Sequence, residues 1–366
     1  MAYAGAGGIV WVGRSPAPGL SLMAPCRLMA CGMLLAELLE QKNVMARDRC
    51  LVRRSYLDAR ERRQRLRETC RQLWPKAFDL GPRALPHYKQ KIMATFKDVE
   101  VIGSVGAGVD LPTSDVDLLV VFSVKWSKAL WEDLFAATML DHMEFALKRL
   151  GQGDDFKKQA AKTGLEIRRK ELGDEHGIVS MTQEAVVLSC DADGLDLDVE
   201  FGIDLRPIFY DKERRLPPLL VDSKYVSWNA VRSSWIRSQP ANLRNAVRVL
   251  KAWVKGRKEP PRGYCLTLLT LAVAQERDAV EGSTEDILQA MAEFLTGLRC
   301  TEVSVRWPSF SIDESADGGY VVAATGKISM IESASDVIIV VKDPFVPSSD
   351  VMRWNFTTCF GSLAKY

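Results

Sequence analysis

Hydrophobic positions recur at helical spacing from residue 33 to residue 74, first in the apolar run Met33 to Leu39 and then beneath a basic surface from Arg47 to Arg71. Further helices are expected over 86–96 and over 127–150, where Trp131, Leu134, Phe135, Thr138, His142 and Phe145 share one side. Short β-branched and alternating runs predict strands at 99–102, 118–122, 165–168, 177–181, 185–190 and 194–201. Between them, glycines at 151 and 153 break the chain, and Lys157, Lys158 and Lys162 form a small basic cluster. Residues 202–227 are irregular, and helical periodicity returns near Ser227. A helix over 242–256 buries Leu243, Ala246, Val247, Leu250, Trp253 and Val254, while Arg244, Arg248, Lys251 and Lys255 fall on an adjacent stripe with no acid on the same helix. Pro260-Pro261 ends it, Tyr264 opens the next, and a last helix covers 284–298 before strands at 303–307, 320–323 and 337–341.

This order predicts an α+β protein: a small mixed sheet with helices packed on it, then a mainly helical domain. The expected divisions are a leader over 1–34, disordered or targeting, N-terminal helices over 35–97, a sheet domain over 98–226 and a helical domain over 227–366. Composition narrows the class. A chain of 366 residues with 47% hydrophobic and 26% charged residues has ordinary cores, and a net charge of +2 leaves nucleic-acid contact to local basic patches. The eight cysteines never form a Cys-x-x-Cys pair and only three histidines exist, which argues against structural zinc and for a reducing compartment, cytoplasmic or nuclear. The first 36 residues hold no Asp or Glu, a composition that also admits a mitochondrial transit peptide. No apolar run is long enough to span a bilayer, so no membrane partner is expected.

The chemistry concentrates in residues 103–122. Gly103-Ser104 opens a loop of small residues through which backbone N–H groups and a hydroxyl can approach a phosphate. Asp115-Val-Asp117 then enters a strand, and the alternation of side chains puts both carboxylates on one face. Adjacent carboxylates repel unless a cation lies between them, and Mg²⁺ or Mn²⁺ carried with a nucleoside triphosphate meets that need. The alternative is a solvated turn leading into an ordinary strand. In the strand over 194–201, Asp196, Asp198 and Glu200 share a face, and Asp198 is assigned as the third acid. Asp115, Asp117 and Asp198 are thus the expected catalytic and metal-binding set. Lys251 and Arg248, with Gly103 and Ser104, are the expected partners of a leaving pyrophosphate.

Gly-Ser, a loop, Asp-x-Asp and a distant single Asp resemble the active site of the polymerase-β-like nucleotidyltransferase superfamily. Residues 239–253, with Arg248 and Lys251, followed by Pro260-Pro-Arg-Gly-Tyr264, are similar to the oligoadenylate synthetase family, as are Asp198 and the later Asp204. The resemblance implies a palm-type catalytic sheet, Arg248 and Lys251 on the triphosphate, and Tyr264 stacked on the donor base. It implies template-independent transfer of a nucleotide, from ATP, to a nucleotide or RNA hydroxyl with release of pyrophosphate, RNA being activator or acceptor. The sequence departs from that family at Ala107, where the synthetases carry Lys, and in a loop one residue shorter. Asp343-Pro-Phe with Asp350-Val-Met-Arg353 is similar instead to the terminal nucleotidyltransferases that extend RNA 3′ ends with A or U, Asp350 standing in place of an Asn. The alternative reading is therefore RNA 3′-end extension.

Overall fold

The computed structural model describes residues 24–47, 49–75, 78–79, 93–124, 154–165, 168–169, 180–181, 186–192, 195–203, 228–258, 260–296, 303–314, 320–332, 337–342 and 350–355. The expected helix over 127–150 with His142, the segment 204–227 with Asp204, and Asp343-Pro-Phe lie outside these residues.

The architecture is α+β. One sheet contains β1 (Phe78–Asp79), β2 (Met93–Ile102), β3 (Val116–Val124), β4 (Arg168–Arg169), β5 (Ser180–Met181), β6 (Val186–Ala192) and β7 (Leu195–Ile203), in the order β1-β2-β3-β7-β6-β4 with β5 on β6. The strand β3 is central, antiparallel to β2 and parallel to β7. Its run Leu118 to Phe122 is buried, as a near-continuous apolar strand covered on both faces should be.

Residues 93–96, expected at the end of a helix over 86–96, belong instead to β2, whose first residues pair with β3 through Ala94 with Val124 and Phe96 with Phe122. The Phe96 and Phe122 rings meet edge to face with centroids 6.4 Å apart, a cross-strand contact that local propensity cannot reveal. The broken segment around Lys157, Lys158 and Lys162 is likewise a helix, Asp154–Lys162, ended by Gly164 at φ +79°. Leu165 beyond it is buried and outside any strand, and strand is described at Arg168–Arg169.

The helix expected over 33–74 is described in two stretches, 24–47 and 49–73. Helix α1 (Ala24–Arg47) begins inside the expected leader and buries Ala30, Leu34 and Leu38 at steps of four, and α2 (Arg49–Leu73) buries Ala59, Arg62, Leu66 and Cys70. Counting the Asp154–Lys162 helix as α4 and a short turn described below as α3, the later helices are α5 (Trp228–Ser238), α6 (Ala241–Val254), α7 (Gly263–Glu276) and α8 (Thr284–Thr296). Helix α6 buries the six apolar residues expected of it, and α7 is buried from Cys265 to Ala274. The mainly helical second part also carries a four-stranded antiparallel sheet, β8 (Val303–Glu314), β9 (Tyr320–Glu332), β10 (Val337–Lys342) and β11 (Asp350–Asn355), with α7 against β8 and β10. Strand β8 outruns its expected end because a register shift between Arg306 and Ser311 absorbs Pro308, which has no N–H to give the ladder.

The two N-terminal helices brace both halves. Helix α2 lies on β2 and β3, where Arg63 Nε donates to Val99 O at 2.6 Å, Arg67 pairs with Asp98 at 2.6 Å and Trp74 meets Phe122 edge to face at 5.5 Å. Helix α1 packs against α6 and α8. There Glu37 accepts from Trp253 Nε1 at 3.0 Å and from Arg257 Nη2 at 3.2 Å, and Lys42 pairs with Glu285. Because Glu37 is half exposed, its removal should cost only about 1 kcal/mol. Glu37→Ala is expected to lower the urea midpoint by that amount without changing the m-value.

Candidate active site

The site is built where β2 turns back into β3. Ile102 is extended, Gly103 adopts φ +61°, and residues Gly103–Ala107 form the one-turn helix α3, closed by Gly108 in the left-handed region. Gly103 has no alternative: a Cβ there would stand 1.7 Å from Asp117 Oδ2. The turn is held from behind by α5, whose Arg237 Nη1 donates to Gly106 O at 3.1 Å. The loop that follows is tied to itself, with Leu111 N–H donating to Ser114 Oγ at 2.8 Å and Ser114 N–H to Leu111 O at 2.9 Å. Lys255 reaches the same loop at Thr113 Oγ1.

The register of two parallel strands then sets the carboxylates. Asp117 on β3 lies directly beside Asp198 on β7, while Asp115 is exposed one residue before β3 begins. Burial pushes the Asp117 carboxyl up to about 7, and the negative charges of Asp198, Asp115 and Glu200 push the same way against the opposing pull of Lys251. Glu200, expected on the face of Asp198, is buried and accepts from Asn229 Nδ2 at 2.8 Å. Among the described residues no group of three His, Cys, Asp or Glu side chains is gathered closely enough to enclose a metal ion. What the chain does present is an all-oxygen pair, Asp117 partly buried and held against Gly103, and that donor chemistry suits a hard divalent cation.

Lys251 arrives from α6. Its Nζ donates to Val109 O at 3.0 Å, and burial lowers its pKa to about 8 despite the nearby Asp110 and Asp117 carboxylates. Arg248, expected beside it on a stripe without acidic partners, finds one from another element. Its Nη2 is 3.7 Å from Asp110 Oδ1 in the buried part of the loop, and its Nη1 donates to Asn245 Oδ1 at 2.9 Å. Arg248 thus grips the loop that carries the acids. Tyr264 opens α7 and packs against Ala107, Val109, Ile236 and Val247.

These elements surround a cavity of about 340 Å³. Five of the eight expected residues line it: Gly103, Ser104, Asp117, Lys251 and Tyr264. Asp115, Asp198 and Arg248 stand around it without forming its wall. The wall is completed by Asn229, Arg232 and Ser233 of α5 and by Arg262 and Thr267, none of which the sequence reading singled out. A signal for the α5 set exists. Asn229, Arg232, Ser233 and Ile236 repeat at steps of three, one and three, so one face of an otherwise polar helix end had to be buried. Arg232 is almost wholly buried, donates to Asn229 Oδ1 at 3.0 Å, and holds its guanidinium carbon 4.9 Å from the centre of the Tyr264 ring.

No protein-family model matches the sequence, and no curated protein matches it. Among solved structures the chain is similar to Cid1 in complex with its short product ApU, with 12% identity and a TM-score of 0.41 over 85% of this chain and 84% of that one. It is also similar to a cytoplasmic RNA terminal U-transferase, at 14% identity and a TM-score of 0.40 over 85% and 84% of the two chains. A second Cid1 structure, presented for its RNA terminal uridylyl transferase activity, matches at 14% identity and a TM-score of 0.39 over 85% of each chain.

The crowding around Asp117 has a sign that stability measurements can read. A carboxyl whose folded pKa is raised binds more protons folded than unfolded, so its contribution is fully present below the unfolded value and is lost as pH rises through about 7. At pH 8 in chelator, Asp117→Asn is therefore expected to be more stable than wild type by about 1–2 kcal/mol. Added Mg²⁺ should raise the melting temperature of the wild type and leave that of the variant unchanged.

Proposed function

We propose that this chain is a polymerase-β-like nucleotidyltransferase that transfers a nucleotide from a nucleoside triphosphate to the 3′ end of RNA. The observation that carries the reading is the pairing of Asp117 with Asp198 at the edge of a cavity that also holds Gly103, Ser104, Lys251 and Tyr264. Each of these groups meets one demand of the reaction. The acceptor oxygen attacks the α-phosphorus, the bond to the bridging oxygen of the pyrophosphate breaks, and pyrophosphate leaves. The Asp198 carboxylate receives the hydroxyl proton beside Asp117. Charge on the departing pyrophosphate meets the Lys251 ammonium, the Ser104 hydroxyl and the N–H groups that open α3. Arg248 acts through Asp110, holding the loop and therefore Asp115 and Asp117 in place. Tyr264 offers its ring to the donor base.

Asp117 and Asp198, with Asp115 completing the set, would hold Mg²⁺ or Mn²⁺. Such an ion supplies Lewis-acid stabilisation of phosphoryl oxygens and keeps the crowded carboxylates ionised.

The acceptor class rests on a second feature. Helix α2 and the C-terminal end of α4 enclose a groove of about 800 Å³ lined by Arg60, Arg63, Arg67, Arg71 and Lys162 among others. Arg65, Glu61 and Glu68 line it too, and of its five arginines Arg60 and Arg71 stand exposed, roughly 16 Å apart along the helix, a length that several phosphates of one strand can follow. The groove suits RNA as acceptor or as activator, and RNA 3′-end extension is preferred to the oligoadenylate type of reaction because Asp343-Pro-Phe and Asp350-Val-Met-Arg353 resemble the enzymes that extend RNA and Ala107 departs from the synthetases.

The test is incubation of the purified protein with Mg²⁺, each labelled triphosphate and single-stranded RNA bearing a free or a phosphorylated 3′ end. Label is expected on the free-ended RNA alone, and Lys251→Ala is expected to lower kcat by about 10²–10³-fold. Short oligomers made from triphosphate without RNA would return the oligoadenylate reading, and absence of any transfer would remove the enzymatic one. Separately, Arg60→Glu with Arg71→Glu should raise KM for RNA while leaving KM for the triphosphate unchanged. If both arginines meet phosphates, the same change reduces the salt slope of RNA binding by about 1.4, at roughly 0.7 per contact on single strands.

A further inference from the structure

Behind the turn that carries Gly103 and Ser104 lies a pair of arginines that the catalytic cavity does not use. Arg237 stands in the last turn of α5 and Arg244 in the first turn of α6, on either side of the bend at Gln239-Pro240. Both side chains return to the end of α3. Arg237 Nη1 donates to Gly106 O at 3.1 Å, and Arg244 Nη1 lies so close over Gly108 that a Cβ there would stand 2.8 Å from it. Gly108 adopts φ +70°, so the position needs glycine twice, once for its backbone and once to admit the guanidinium. Arg244 Nε donates to Gln239 O at 3.2 Å, which fixes the side chain in this direction. Two guanidiniums are thus drawn to three consecutive residues, 106–108, and neither lines the cavity that holds Lys251 and Tyr264.

This pair lacks a countercharge. Among the described residues the hydrogen-bond acceptors of Arg237 and Arg244 are backbone carbonyls, and neither arginine is joined to a carboxylate. The Asp110 carboxylate is engaged by Arg248, whose Nη2 is 3.7 Å from its Oδ1. Burial holds the Arg244 pKa down, and the charges of Arg248 and Arg237 push the same way with no acid opposing them. Capping explains one of the two arginines, since a cation at the end of α3 satisfies a carbonyl there, as Arg237 does at Gly106. It does not explain why Arg244 is brought beside a like charge. Each guanidinium has more N–H donors than these backbone bonds use, and the guanidinium fork matches phosphate oxygens in geometry as well as in charge.

We propose that Arg237 and Arg244 form an anion site outside the catalytic cavity, one that takes a phosphate group, either carried on RNA or free in solution. An anion seated against both forks offsets the repulsion between them, which is the unfavourable interaction that this arrangement otherwise retains. The site shares no residue with the cavity wall, so it stands whether or not nucleotidyl transfer takes place there.

The experiment is equilibrium binding of inorganic phosphate, of a single-stranded RNA and of ATP with Mg²⁺, at low ionic strength, to the full-length wild-type protein, to Arg244→Gln and to Arg237→Gln. The phosphate and RNA arms separate the two sources, and ATP reports on the cavity. Arg244→Gln should weaken inorganic phosphate, RNA or both about tenfold and leave ATP unchanged. If RNA is the source, the slope of log affinity against log salt should also fall by roughly 0.7 for each arginine lost. Since Arg244→Gln removes one of the repelling charges and leaves the Arg237 bond to Gly106 intact, its melting temperature in phosphate-free buffer should be no lower than that of the wild type. That measurement separates lost binding from lost fold, and it keeps the test decisive if Arg237→Gln does not fold. Unchanged affinity for both phosphate and RNA in Arg244→Gln overturns the proposal. So does an equal loss of phosphate, RNA and ATP with a lowered melting temperature, which would make the arginines a brace for α3 and nothing more. Failure of the wild type to bind ATP counts against the nucleotidyltransferase reading, while the phosphate and RNA arms still decide this one.

Discussion

Two carboxylates held side by side by strand register are the constraint on which the rest of the structure turns. Asp117 and Asp198 occupy neighbouring positions on parallel strands, and the backbone ladder between β3 and β7 leaves neither free to move away. Burial and mutual repulsion would expel such a pair from an ordinary core, yet the surroundings are arranged to keep it. The neighbouring backbone gives way at Gly103, where no side chain fits, and one ammonium, Lys251, is brought in from a distant helix. A site that stores unfavourable charge in this way is disposed to bind cations and the anionic ligands that accompany them.

Bringing Lys251 to the loop requires that α6 be held against the sheet domain, and the N-terminal helices serve that end. Helix α1 is fastened to α6 and α8, while α2 lies on β2 and β3. Helix α2 also divides its arginines between two tasks. Arg63 and Arg67 tie the helix to Val99 and Asp98, whereas Arg60 and Arg71 stand exposed beside the groove. One amphipathic segment therefore braces the catalytic sheet and offers a charged surface, which explains why its basic residues far outnumber what ion pairing within the helix would need.

The cavity itself has three walls of different chemistry. The sheet and α3 supply Asp117 and the tight turn at Gly103, α6 supplies Lys251, and α5 with α7 supplies Arg232 and Tyr264. The hydrogen-bonded path from Arg232 through Asn229 to Glu200 links the α5 wall to β7, the strand that carries Asp198.

Periodicity in the chain was sufficient for what depends on near neighbours. Alternation placed Asp117 in β3 and Asp198 in β7, and the 3.6-residue repeat of α6 marked both its core face and Lys251, because a side chain's direction follows from its own element. Pairing across distance was beyond that reach. The start of β2 depends on Phe96 meeting Phe122, and the extent of β8 on a bulge that absorbs Pro308. The acidic partner of Arg248 comes from Asp110 in a different element, and the burial of Arg232 follows from α5 docking on α3. The sequence by itself determined which residues could do the chemistry, since residue type and local period decide what a segment can display. Only the tertiary structure decided which of them meet, because contact energies between distant segments, and the charges those segments bring, exist once the chain has closed on itself.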